Sequence, residues 1–119
     1  MSRTIEPEDW ENFLKDFSER NVERRARFEV FSRDEVNEES REAHLKKISL
    51  EKNDGKTQIV IKRADTSDAE PRTMVDQFEN VREIHVQYEV DGSENILEIT
   101  DEKGIQINLR FESKLDGAS

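Results

Sequence analysis

The chain has 119 residues, 32% apolar and 40% charged, with 29 acidic against 19 basic side chains and a net charge of −10. Its length suits one domain with a small core, and its lack of cysteine excludes disulfides, thiol catalysis and cysteine-ligated zinc. The negative balance opposes nucleic acid and anionic lipid; residues 82–119 alone hold 9 acidic and 4 basic side chains.

The first predicted element is a helix over about residues 7–20. Pro7 suits a first helical position, where its missing N–H has no use. Glu8, Asp9 and Glu11 complement the positive end of the helix dipole. With Glu6 as N-cap, Ile5 and Trp10 have hydrophobic-staple spacing. Trp10, Phe13, Leu14 and Phe17 fall at i, i+3, i+4 and i+7 and form one stripe, read as the face that covers the core. Asn21 is a plausible stop, followed by Arg24 and Arg25.

The period then changes to two. Over about 24–32, Ala26, Phe28 and Val30 point one way, with Arg25, Arg27 and Glu29 opposite. Residues 33–43 read as an exposed acidic loop. A hairpin follows, with strands of about 44–52 and 57–63. Ile48 and Leu50 precede its Asn53-Asp54-Gly55 turn, and Ile59 and Ile61 follow it. Residues 64–72 read as a second loop. The stretch 73–81 fits two readings. Met74, Val75, Phe78 and Val81 suit a short helix with a Thr73/Asp76 capping box, or an irregular lead-in to the next strand.

The last third alternates clearly and predicts a three-stranded meander at about 82–90, 95–100 and 105–113, followed by a tail at 114–119. Ile84, Val86, Tyr88 and Val90 share one face; Leu97 and Ile99 continue it; Ile105, Ile107, Leu109 and Phe111 complete it. Asp91-Gly92 and Asp101-Glu102-Lys103-Gly104 make the turns. One buried and one wet face indicate antiparallel sheet.

The predicted fold is therefore a single α+β domain, an N-terminal amphipathic helix packed on a curved antiparallel sheet of about six strands. Six strands at ~4.8 Å spacing span about 24–29 Å, whereas one helix is only ~10–12 Å across. Either the sheet curls around the helix as a partial barrel, or residues 74–81 cover the rest, or a second copy does.

Few residues suggest chemistry. His85 lies between Glu83 and Gln87 on a polar strand face, and His44 opens a strand after an acidic loop; both read as surface histidines. Asp65, Asp68 and Glu70 lack the spacing of a calcium loop. Arg20, Arg24, Arg25 and Arg27 form one basic cluster beside Phe28 and Phe31, read as a charged outer face. No nucleophile–base set, phosphate loop or zinc-protease spacing occurs. The sequence thus implies no catalytic residue, cofactor or metal.

Several segments resemble a bacterial domain family of unknown function and about this length. IEPEDWENFLKDFS is similar to its I-P-x-x-x-W-x-x-F-x-x-x-F-S opening, at Ile5, Pro7, Trp10, Phe13 or Leu14, Phe17 and Ser18, with Glu6 inserted between Ile5 and Pro7. HLKKISLEKNDGKTQIVI resembles its L-x-x-I-x-x-x-x-x-x-D segment. The closing VDGSENILEITDEKGIQINLRFE is similar to its L-x-I-x-x-x-D-G-x-x-x-L-x-F end. The resemblance implies a compact α+β domain and no activity.

The expected function is a small non-enzymatic interaction or accessory domain that binds a protein partner or a second copy. Its candidate surface is the polar face and edge of the meander, at His85, Gln87, Gln106, Asn108 and Arg110. The alternative is a small-ligand binder or minor enzyme, with a pocket between helix and sheet lined by Trp10 and Tyr88. No run reaches the about 20 apolar residues of a membrane helix, and residues 1–20 lack a signal-peptide core. The expected location is the cytoplasm.

Overall fold

The computed structural model describes residues 1–39, 42–65 and 70–113. Among these, one α-helix and nine strands form the fold: β1 (Ser2–Ile5), a 3₁₀ turn (Pro7–Asp9), α1 (Trp10–Asn21), β2 (Arg25–Phe31), β3 (Val36–Glu38), β4 (Ala43–Asn53), β5 (Lys56–Asp65), β6 (Arg72–Glu79), β7 (Val81–Tyr88), β8 (Glu94–Asp101) and β9 (Gln106–Phe111). All strands join one antiparallel sheet in the order β1-β7-β8-β9-β2-β4-β5-β6, with β3 beside β2.

The helix forms where its stripe predicted. Trp10, Phe13, Leu14 and Phe17 are all buried, and Leu14 and Phe17 are fully so. Glu6 precedes only the 3₁₀ turn, and the α-helix itself starts at Trp10 with Asp9 as its N-cap; Ile5 and Trp10 both lie in the core, and the Trp10 indole N–H donates to the Ile5 carbonyl at 2.9 Å. Phe17 contacts Phe13 and Phe111, each with ring centroids 5.7 Å apart. The sheet contributes Ala26, Phe28, Leu45, Ile48, Ile59, Ile61, Ile84, Val86, Leu97, Ile99, Ile107, Leu109 and Phe111 to the same core.

The sheet is larger than the six predicted strands, and three segments depart from expectation. Residues 2–5 form a strand on β7, from Ser2 opposite Gln87 to Ile5 opposite Ile84. The acidic loop contains β3, held against β2 by pairs such as Val30 with Asn37. Both pieces are too short and polar to show a period. Residues 72–79 are β6, not a helix, paired with β5 from Gln58–Glu79 to Asp65–Arg72. Their inward residues are Met74, Asp76 and Phe78 at period two, while Val75 faces solvent at 51% exposure. Val90 lies beyond the end of β7 and is exposed. The tail expected at 114–119 lies outside the described residues.

One residue, Asn80, joins β6 to β7, although β6 is one edge of the sheet and β7 is next to the other. The two ends of the sheet must therefore approach one another. Cα atoms of β5 and β7 come within 8 Å, and the Phe28 and Phe78 rings meet edge-on at 5.4 Å. No ladder joins β6 to β1, so the sheet is open. Asn80 adopts the left-handed region (φ 55°), which Asn tolerates better than most residues.

Candidate functional site

Strand register lines up the outer polar residues into a row. Thr4 faces His85, His85 faces Glu98, Glu98 faces Asn108, and Asn108 faces Glu29. These five residues cross β1, β7, β8, β9 and β2. A second row beside it carries Gln87, Ile96, Arg110 and Arg27.

Cross-strand neighbours about 5 Å apart can satisfy one another. Thr4 Oγ1 and His85 Nδ1 are hydrogen-bonded at 2.8 Å. The Gln87 amide donates to the Glu98 carboxylate, and the Gln106 amide donates to Asn108 Oδ1 at 3.0 Å. Arg110 Nε donates to Glu29 Oε1 at 2.8 Å, with an Arg27 guanidinium nitrogen 4.0 Å from the other oxygen.

The five residues singled out from sequence thus share one face. His85, Gln87, Gln106 and Arg110 remain half-exposed there. Asn108 is buried at 4% exposure and supports Gln106 from below. Sequence reasoning missed Glu29, equally buried on this face and the anchor of Arg110. Its position opposite Asn108 was not visible without the register.

The arginine cluster is internally paired. Arg20 donates to both oxygens of the largely buried Glu94 carboxylate, at 3.0 and 2.7 Å, and this bond raises its already high pKa. Asn21 links the helix end to that carboxylate: its amide donates to the Phe17 carbonyl and to Glu94 Oε1, both at 2.9 Å. Arg24 donates to Asn21 Oδ1 and the Glu94 and Glu112 carbonyls and stacks on Phe111, 4.5 Å from its centroid. Burial lowers its pKa. Arg25 lies 3.6 Å from Glu42 and 3.7 Å from Glu112.

Trp10 is buried in the core between helix and sheet. Tyr88 instead borders a surface cleft of about 820 Å³ at the helix flank, with Arg3, Phe13, Asp16, Arg20 and Glu94. His44 Nδ1 lies 3.6 Å from Glu23. Of the acidic run, Asp65 closes β5 and Asp68 lies outside the described residues.

No protein-family model matches this chain, and neither the curated proteins nor the solved structures yield a significant match. Among the described residues, no helix is long and apolar enough to cross a membrane.

Proposed function

We propose that this chain is a small non-enzymatic interaction domain that meets a protein partner, or a second copy of itself, through the outer face of β1, β7, β8, β9 and β2. The supporting observation is the register-aligned polar row from Thr4 to Glu29, in which Thr4 bonds His85, and Glu98, Asn108 and Glu29 hold Gln87, Gln106 and Arg110 beside it. Long polar side chains normally lose rotamer freedom on binding, at a cost of about 0.5–1.5 kcal/mol each. Here Gln87, Gln106 and Arg110 are already held by their neighbours. A face fixed in advance presents donors and acceptors at defined positions. The arginine cluster is engaged with carboxylates and carbonyls, which favours a protein partner over nucleic acid. A cytoplasmic setting and kinship with the bacterial domain family described above belong to the same reading.

The test is retention of partners from cell extract by the immobilised chain, beside a His85→Ala/Gln106→Ala variant. Both residues are half-exposed, so the variant should keep its melting temperature and lose the retained protein. Repeated failure of the wild type to retain any protein or self-associate at low salt would count against the reading.

The Tyr88 cleft supports a second reading, a small-ligand site. Arg3 and Arg20 sit 5.7 and 5.8 Å from the Phe13 centroid, two guanidinium groups on one ring. Thermal-shift screening with metabolites tests it; no stabilisation at plausible cellular concentrations removes it.

A further inference from the structure

Asp-Gly occurs three times in the chain, at 54–55, 91–92 and 116–117; the last lies outside the described residues. The dipeptide carries a latent reaction of its own. Glycine has no Cβ to shield its amide nitrogen, and that nitrogen can attack Cγ of the preceding aspartate to close a five-membered imide. The two described copies have the same two residues, yet the fold treats them in opposite ways.

Asp54 and Gly55 cap the β4–β5 hairpin. Their φ values are positive, 53° and 77°, as in a two-residue turn, and the Asn53–Lys56 pair closes it. This tip overhangs the sheet. β6 joins β5 only from Gln58 onward, and β2 pairs with β4 only at Ala43 and His44. The pairs Lys52–Thr57 and Asn53–Lys56 therefore form a two-stranded ribbon with no third strand, and residues 51–56 are all exposed. A hairpin alone is marginally stable in water, so the tip belongs to the low-stability end of the fold. Neither the Asp54 carboxylate nor the Gly55 N–H has a hydrogen-bond partner among the described residues.

Asp91–Gly92 is locked. The Gly92 N–H, whose nitrogen is the attacking atom, donates to the Glu89 carbonyl at 2.9 Å. Asp91 Oδ1 accepts the Ser93 N–H at 2.9 Å and the Ser93 hydroxyl at 2.6 Å. The Glu89 N–H donates to the Ser93 carbonyl at 2.8 Å and closes the loop. Attack at this pair requires both reacting groups to leave these bonds.

We propose that Asp54–Gly55 is a site of spontaneous aspartate isomerisation, and that the fold withholds the same reaction from Asp91–Gly92. The Gly55 nitrogen bonds to Asp54 Cγ, and the side-chain hydroxyl leaves as water with the Gly55 amide proton. A second water then opens the imide at either carbonyl. Attack at Cγ breaks the new bond and restores aspartate. Attack at the Asp54 backbone carbonyl breaks the original peptide bond, so the chain now runs through Cγ and the old backbone carbonyl carbon becomes a free carboxylate. Water is the only co-reactant. The isomer adds a methylene to the main chain, so the two-residue turn loses its fit and the Asn53–Lys56 pair opens. This inference stands apart from the interaction-domain reading.

The test is incubation of the full chain in heavy-oxygen water at neutral pH and body temperature. Each passage through the imide leaves one heavy oxygen in the freed carboxylate, which peptide mapping with fragmentation assigns to its residue. Because Asp91 must first give up its hydrogen bonds, Asp54 should take up label at least about tenfold faster. In concentrated urea the two should label alike. Asp54→Glu, which needs a larger ring, should lose the label at that position and keep its melting temperature. No label at Asp54 in the folded chain, or Asp91 labelled as fast as Asp54, overturns the proposal. A difference that persists unchanged in urea also overturns it, because the fold would then not be its cause.

Discussion

Arg63 and Glu39 join where β2 lacks a continuous neighbour. Arg63, 1% exposed, donates through Nη1 to Glu39 Oε1 at 2.8 Å and through Nη2 to Oε2 at 3.1 Å. The same carboxylate accepts the Phe28 N–H at 2.7 Å, and the Glu39 N–H donates to the Phe28 carbonyl at 2.9 Å. Phe28 lies between the short β4 and β3 pairings, so a carboxylate takes the place of a missing ladder partner. Arg63 also donates to the Ala26 carbonyl at 3.1 Å, stacks 4.2 Å from the Phe28 centroid and lies 3.5 Å from Asp76. Its Nε is buried without a hydrogen-bond partner among the described residues.

Removing Glu39 should therefore harm folding well beyond a surface change. Breaking a fully buried ion pair from one side costs about 3–5 kcal/mol. The Glu39 side chain is 33% exposed and Asp76 remains nearby, so Glu39→Ala is expected to cost about 2–3 kcal/mol in urea denaturation. Adding Arg63→Met should restore part of that loss, because no charge is then left buried alone. A Glu39→Ala protein as stable as the wild type would show that the pair adds nothing.

Trp10 carries both packing and one polar bond. Trp10→Ala should cost ~3–5 kcal/mol. Trp10→Phe retains most of the apolar contact and forfeits the bond to the Ile5 carbonyl, adding about 0.5–1.5 kcal/mol to a small cavity cost. Equal melting temperatures for wild type and Trp10→Ala would mean that the stripe does not anchor the core.

At Asn80 the backbone sits at φ 55°. Asn80→Ala should destabilise by ~1–2 kcal/mol, the penalty of the left-handed region for a residue with a Cβ and no compensating polar side chain. Asn80→Gly should be near neutral, because relief of strain and greater unfolded-state freedom oppose each other. Identical stability of the two variants would argue against the strained corner.

Glu23 gives a pH signature. The hydrogen bond from Lys46, joined by the charges of Lys46 and His44, holds its carboxyl below the ordinary carboxylate range against the opposing desolvation. A carboxyl whose pKa is lower folded than unfolded adds stability above the unfolded value, and that contribution disappears as pH falls through the folded one. An NMR titration should place the Glu23 midpoint below that of exposed glutamates, and Lys46→Ala should move it upward. An unchanged midpoint in the variant would remove Lys46 as the cause.

Much of this architecture was readable from residue order. The stripe from Trp10 to Phe17 and the alternation of 105–111 each have one period, and both face the core as expected. β6 was ambiguous because Met74, Val75, Phe78 and Val81 also fit helical spacing. Its inward Asp76 broke the apolar alternation, and only Arg63, diagonal to it on the neighbouring strand β5, explains an acid there. Arg63 itself continues the inward parity of Ile59 and Ile61, a signal the sequence did carry. Of the outer face, the exposed members were legible. The burial of Asn108 and Glu29 depends on register, which pairs residues far apart in the chain.

The single-residue link at Asn80 also has a dynamic consequence. β6 could otherwise peel away from β5 alone, as sheet edges commonly fray. Here any such departure drags the start of β7, which is paired with β8 from Val81 and with β1 as well from Ile84 onward. The carbonyl of Asn80 further accepts the Glu102 N–H at 2.9 Å, tying the corner to the β8–β9 turn. The terminal strand of the sheet is thereby coupled to its opposite flank, and the two should open as one cooperative unit rather than in sequence.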